Sequence, residues 1–218
     1  MALMKPNVIP EFFARLKKAM PEPKTELEYE NVYHLLVAVV LSAQATDVGV
    51  NRATEPLFKI VKTPQQMLAL GEKKLIGYIR TIGLFRTKAK NVMGLSKLLV
   101  ERHGGEVPHT HEELQALPGV GRKTANVVMN VAYGEATIAV DTHIFRVGNR
   151  TGLAPGKNPL EVELRLLKRV PEEYRLHAHH SLILHGRYTC KARKPECWNC
   201  MQLDLCDYRF KTPAPDGI

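Results

Sequence analysis

The sequence predicts an all-α fold on three observations. Apolar residues recur at helical spacing, helix-start signals are frequent, and the 218 residues show no convincing two-residue alternation bounded by hairpin turns. The first stripe is Phe12, Phe13 and Leu16, and the next crosses Leu35 to Leu41. Thr63-Pro64-Gln65-Gln66 then sets a capping residue, a proline at the first helical position and a glutamine at the third. Leu75, Ile76 and Ile79 follow at helical spacing. Thr110-His111-Glu112-Glu113 is a second capping box. After the glycine turn at Leu117 to Gly121, Ala125, Val127, Val128 and Val131 share one buried side. The β-branched, apolar run Thr137 to Val140 leads to Asp141, an N-cap position for the helix holding Phe145 and Val147. Gly152 to Asn158 is a loop, either a domain boundary or a long turn. Asn158-Pro159-Leu160-Glu161 then restarts a helix holding Leu164 and Leu167. About ten helices follow at ordinary lengths. The tail after Lys211, T-P-A-P-D-G-I, is expected to fray.

Lys and Arg number 31 against 22 Asp and Glu, a net charge of +9. That balance points to a polyanion partner, with nucleic acid the first choice. A hydrophobic share of 44% marks a folded chain with ample core, in one large domain or two small ones. The longest apolar run is too short to cross a membrane. The start, M-A-L-M-K-P-N, lacks the apolar core of a signal peptide, so a soluble, cytoplasmic protein is expected.

The four cysteines, Cys190, Cys197, Cys200 and Cys206, crowd into one short stretch spaced C-x6-C-x2-C-x5-C. Core cysteines would scatter, and small-loop disulfides suit a secreted protein. Metal ligation fits better, with either a tetrahedral zinc or a four-iron cluster. Only Cys197 and Cys200 form the tight knuckle usual for zinc, and the long remaining gaps lean towards iron–sulfur.

The stretch Leu117 to Ala125, L-P-G-V-G-R-K-T-A, combines a turn, a backbone anion site and an amine. Gly119 and Gly121 permit positive φ and close approach of a ligand. The helix that follows points unpaired N–H groups and its positive dipole end outward, which suits a phosphate. A Walker A loop is excluded, because Arg122 follows Gly121 and Ala116 stands where its first glycine belongs. A dinucleotide fingerprint is excluded by Thr124 at the third glycine and by the absence of a preceding strand. Two readings remain: a plain helix–turn–helix corner with a solvated lysine, or a phosphate grip with a nucleophile beside it. Lys123 is that nucleophile and Asp141 a carboxylate at a second helix start, so both could face one groove. A free lysine, with pKa ~10.4, is neutral in only about one molecule in 2,500 at pH 7. A helix N-terminus, Arg122 and desolvation by bound substrate all favour the neutral amine. A carboxylate would steady developing positive charge on a sugar and handle protons.

These residues resemble the endonuclease III family, bifunctional DNA glycosylases of the helix–hairpin–helix superfamily. The resemblance rests on L-S-A-Q-A-T-D, L-P-G-V-G-R-K-T-A-N-V-V, T-I-A-V-D-T-H-I-F-R-V and L-I-L-H-G-R-Y-T-C with the cysteine spacing, in order from Leu41 to Cys206. It implies a [4Fe-4S] cluster on Cys190, Cys197, Cys200 and Cys206. It implies that Lys123 attacks the anomeric carbon of a damaged nucleotide, expels the base and forms a Schiff base, with β-elimination cutting 3′ of the site and Asp141 assisting both steps. Oxidised or ring-saturated pyrimidines and abasic sites in double-stranded DNA are the implied substrates, handled by a monomer. Gln44 matches the residue that fills the gap left by the flipped nucleotide, and Leu84 an apolar wedge on the opposite strand. Gly119, Val120, Gly121 and Arg122 grip the backbone. The family fold places a six-helix domain at 25–135, with 1–24 and 136–218 forming the cluster domain.

Flipping a base costs a few kcal/mol, least for damaged bases, and wedges offset the lost stacking. The loop Lys191 to Glu196 carries Lys191, Arg193 and Lys194, either a solvated basic loop or a phosphate clamp shaped by the cluster. Trp198 is bulkier than the knuckle needs. His143, His177, His179, His180 and His185 read as core or surface residues. A monofunctional adenine-mismatch glycosylase is disfavoured by Lys123, and a non-catalytic DNA-binding module by the joint presence of Lys123, Asp141 and Gln44.

Overall fold

Eleven α-helices and two short 3-10 turns form the regular structure of residues 3–215, the part that the computed structural model describes. The chain divides into two units, Thr25–Glu135 and a discontinuous one of Met1–Lys24 with Ala136–Ile218.

The Thr25–Glu135 unit is built around α2 (Val32–Leu41). Tyr33 to Leu41 are all buried, as a helix apolar on every side requires. Asn31 caps it by accepting from the His34 N–H. On it pack α3 (Asp47–Ile60), α6 (Phe85–His103) and α8 (Arg122–Tyr133), while α4 (Pro64–Leu70) and α5 (Glu72–Ile79) pack on α6 and the five-residue α7 (His111–Gln115) lies against α8. The predicted capping residues do their work. Thr63 Oγ1 accepts from the Gln66 N–H at 3.3 Å, and Thr110 Oγ1 from Glu113 at 3.2 Å. Gln66 reaches back to the N–H of Lys62 at 2.6 Å, one residue before the cap. In α8, Ala125, Val127 and Val128 are buried as predicted, while Val131 is only half-buried.

In the discontinuous unit, α1 (Ile9–Ala19) packs with α9 (Thr142–Thr151), α10 (Pro159–Arg169) and α11 (Glu172–Tyr188). Phe12, Phe13 and Leu16 of α1 bury against Ile144, Val147, Val162, Leu166 and Leu182. The N-terminal segment is tied to the later chain by polar contacts too. The Met4 N–H donates to Gly152 O at 2.8 Å, Gln202 Nε2 donates to Phe12 O at 2.9 Å, and Arg15 pairs with Asp204. The loop at Gly152 to Asn158 lies inside this unit, so it is a long turn and not a domain boundary. Gly152, at φ 73, ends α9, and Asn158 Oδ1 starts α10 by accepting from Glu161. The tail expected to fray after Lys211 is tied at its start, where Thr212 Oγ1 donates to Pro195 O; residues 216–218 of that tail lie outside the described residues. Met1 and Ala2, at the head of the segment read for a signal peptide, also lie outside them.

Candidate active site and cysteine pocket

After α7 the chain buries Leu117 and Val120 and turns through Gly119 at φ 79. The turn closes with the Val120 N–H on Leu117 O at 3.1 Å. A Cβ on Gly119 would lie 2.8 Å from Asn91 Nδ2 and 2.9 Å from Asn91 Cβ, so only glycine fits. Gly121 corrects the sequence reading. It sits at φ −92 and ψ 179, extended backbone open to any residue, and an added Cβ would meet nothing within 4 Å. Gly121 is the N-cap of α8 and has no side chain with which to cap. The N-cap therefore supplies no side-chain hydrogen bond to the start of α8, where the helix dipole favours an anion. Arg122 and Lys123, the first two residues of α8, are exposed.

Gln44 and Leu84 share an uncommon feature. Both are exposed and both adopt left-handed backbone, at φ 54 and φ 58, which costs a non-glycine residue roughly 1–3 kcal/mol. Their loops are neighbours, since a Cβ on Gly83 would come 3.9 Å from Gln44 O. Leu84 is the N-cap of α6, and the same helix backs the hairpin through Asn91 against Gly119 and Gly94 against Pro118. One rigid element therefore carries Leu84 at its end and the glycine turn on its flank.

Asp141 is the N-cap of α9, as predicted. Its Oδ1 accepts from the N–H groups of His143 at 2.9 Å and Ile144 at 2.8 Å. Its Oδ2 lies 2.8 Å from His143 Nδ1. The sequence reading of His143 as a packing or surface residue misses this pairing. An Asp-x-His spacing at a helix start is the signal that would have found it. Asp141 and Lys123 belong to different units.

The four thiols line one pocket together with Arg150, His185, Gln202 and Tyr208. All four are free cysteines. Among the described residues no group of three His, Cys, Asp or Glu side chains closes tightly enough to hold a single metal ion. Burial pushes the Cys200 thiol up to about 11 and raises Cys206 as well, with the other cysteines adding to both. Polar groups nonetheless aim at the sulfurs: Arg150 NH1 at 3.8 Å from Cys190 Sγ, His185 Nε2 at 3.9 Å and the Gln202 N–H at 3.4 Å from Cys200 Sγ. Burial holds His185 down to about 4, so its ring is neutral.

The basic loop hangs from α9. Arg146 donates to Cys190 O at 2.9 Å and to Gly186 O at 2.7 Å. Arg150 donates to Lys191 O at 2.5 Å and Ala192 O at 2.9 Å, with its guanidinium 5.0 Å from the Tyr208 ring centroid. Arg193 and Lys194 are exposed, whereas Lys191 is ion-paired to Glu196. Trp198 is half-buried.

Residues 37–172 match the HhH-GPD superfamily base excision DNA repair protein family. Endonuclease III of Haemophilus influenzae is 58% identical over 92% of this chain and 95% of its own length. Endonuclease III of Escherichia coli strain K12 is 56% identical over the same shares. A solved structure of a trapped endonuclease III–DNA covalent intermediate matches with a TM-score of 0.89 at 44% identity, covering 94% of this chain and 97% of that one. Likeness at this level over most of the chain shows that it belongs to the endonuclease III family of the HhH-GPD superfamily, the base excision repair DNA glycosylases.

Proposed function

We propose that this glycosylase removes oxidised and ring-saturated pyrimidines from duplex DNA and then cuts 3′ of the abasic site, acting as a monomer with Lys123 as nucleophile. The observation that carries the reading is the placement of Lys123: an exposed amine in the first turn of α8, two residues beyond the open Gly121. A phosphate at the positive N-terminal end of α8, beside Gly119, Val120, Gly121 and Arg122, would be held next to that amine. The neutral amine attacks the anomeric carbon, the bond to the base breaks, and the base leaves with the electron pair and takes up a proton. Loss of the amine's proton and opening of the sugar ring give the Schiff base. Removal of a proton from the adjacent sugar carbon then expels the 3′ phosphate. Asp141 has the carboxylate's part, steadying positive charge on the sugar and handling protons. The covalent DNA intermediate trapped for a relative supports this chemistry. Gln44 and Leu84 act as wedges, a reading supported by strained backbone at two exposed residues whose strain the fold itself does not use.

Cys190, Cys197, Cys200 and Cys206 fit a [4Fe-4S] cluster. The four line one pocket, but only Cys197 and Cys200 form the tight knuckle usual for a tetrahedral zinc. Bound there, the cluster would supply a fixed scaffold for the loop that offers Arg193 and Lys194 to phosphate. Lys191, already paired with Glu196, contributes less to that clamp than its charge suggested.

Borohydride reduction on an abasic duplex tests the reading. The protein is expected to be trapped covalently, and Lys123→Gln to abolish trapping; an adduct that persists in the variant would move the nucleophile elsewhere.

A further inference from the structure

We infer that His143 is a positioning residue for Asp141, and that the two act as a dyad in the base-release step; this rests on the role proposed for Asp141. A carboxylate can only accept, so the His143 ring nitrogen 2.8 Å from Oδ2 is the donor, and the neutral ring carries its proton on Nδ1. Asp141 thereby receives two backbone N–H groups on Oδ1 and one imidazole N–H on Oδ2. An ordinary N-cap needs only the first kind. Three donors hold the carboxylate in one rotamer. The dyad therefore presents Asp141 as a fixed anion, suited to steadying a cationic sugar and not to free rotation between partners.

The surroundings of His143 are built to place it. Gly186 lies in the interior of α11, where glycine costs roughly 1 kcal/mol relative to alanine. A Cβ there would lie 2.9 Å from His143 Cβ and 3.2 Å from His143 O. A side chain at position 186 would thus push His143 and the first turn of α9 outward. Arg146, one turn along α9, donates to Gly186 O at 2.7 Å and fixes the same approach. The His143 side chain is 29% exposed against 14% for Asp141, so the ring shields the carboxylate on one side while still meeting solvent.

Single-turnover release of a ring-saturated pyrimidine from a duplex tests the dyad. His143→Ala is expected to slow release about ten- to a hundred-fold, the scale of losing a group that orients a reactive one. Melting temperature and affinity for an uncleavable abasic analogue would stay unchanged. His143→Asn, whose amide can donate from near the Nδ1 position, would recover most of the rate. In an Asp141→Asn background, His143→Ala would cost nothing further. Wild-type rate in His143→Ala, or losses that multiply in the double variant, would overturn the inference. A slow Asp141→Asn beside an unaffected His143→Ala would remove the dyad and leave the role of Asp141 standing. An unaffected Asp141→Asn would remove both. If His143→Ala melts early, His143→Asn decides: near-full rate supports the dyad, and a loss equal to that of Asp141→Asn refutes it.

Discussion

The hairpin at Leu117 to Lys123 and the loop at Lys191 to Glu196 both offer cations to a polyanion, yet they are held in opposite ways. The hairpin holds itself through a left-handed glycine, a 3.1 Å turn bond and the start of the helix that follows. The loop is held by Arg146 and Arg150, more than forty residues earlier in the chain. A site made by local geometry announces itself in sequence. One made by distant donors shows only its charges, and Lys191 illustrates the error: its charge was legible, its pairing with Glu196 was not.

The largest effect should come from breaking the loop's anchor. Purified protein is expected to be yellow-brown with about four irons per chain, and Cys200→Ala to lose both colour and iron; a colourless, zinc-loaded and active protein would sink the cluster. Acid should weaken the unit that holds the loop. Burial, with His177 nearby, holds the α11 residue His180 down to about 4 from its ordinary 6.5. Below pH 6.5 the unfolded chain takes up a proton that the folded chain refuses. Stability therefore falls as pH drops to about 4, by about 3 kcal/mol in all, and changes little from this group below that. Urea midpoints from pH 7 to 4 measure the slope, which His180→Gln should flatten.

Smaller effects sharpen the hairpin side. Gly119→Ala places a Cβ at φ 79 and against Asn91, and should destabilise by about 2 kcal/mol in denaturant melts. Gly121→Ser has room and compatible backbone, so stability should hold or rise. Its hydroxyl would cap the N–H groups meant for phosphate, and DNA affinity should drop several-fold in a binding titration. Equal affinity in Gly121→Ser and the parent would mean that α8 does not take a phosphate there.

Much of the architecture was legible because it is written locally. Thr63, Thr110, Asn158 and Asp141 each cap where their side-chain oxygens can reach an N–H two or three residues on. Backbone angles were less accessible. Gly119 and Gly121 look alike in sequence, but only Gly119 is left-handed. Gln44 and Leu84 are left-handed without being glycine, which no propensity rule anticipates. His143 lies two residues from its partner, close enough to be found, but a histidine at a helix start also packs, and only the 2.8 Å contact separates the uses.

The split unit has a consequence for how the chain is made. Residues 25–135 form a continuous stretch whose partners all emerge together, so that unit can fold while synthesis continues. Helix α1 is made long before the elements it packs on: Phe12, Phe13 and Leu16 share a core with residues of α9 to α11, more than a hundred residues later. During that interval the nascent chain carries a sticky amphipathic helix ahead of a folded body. Closing so long a loop is slow relative to local folding. Cys190 to Cys206 follow α11, so the cysteine pocket can form only once the helices on which α1 docks have been made.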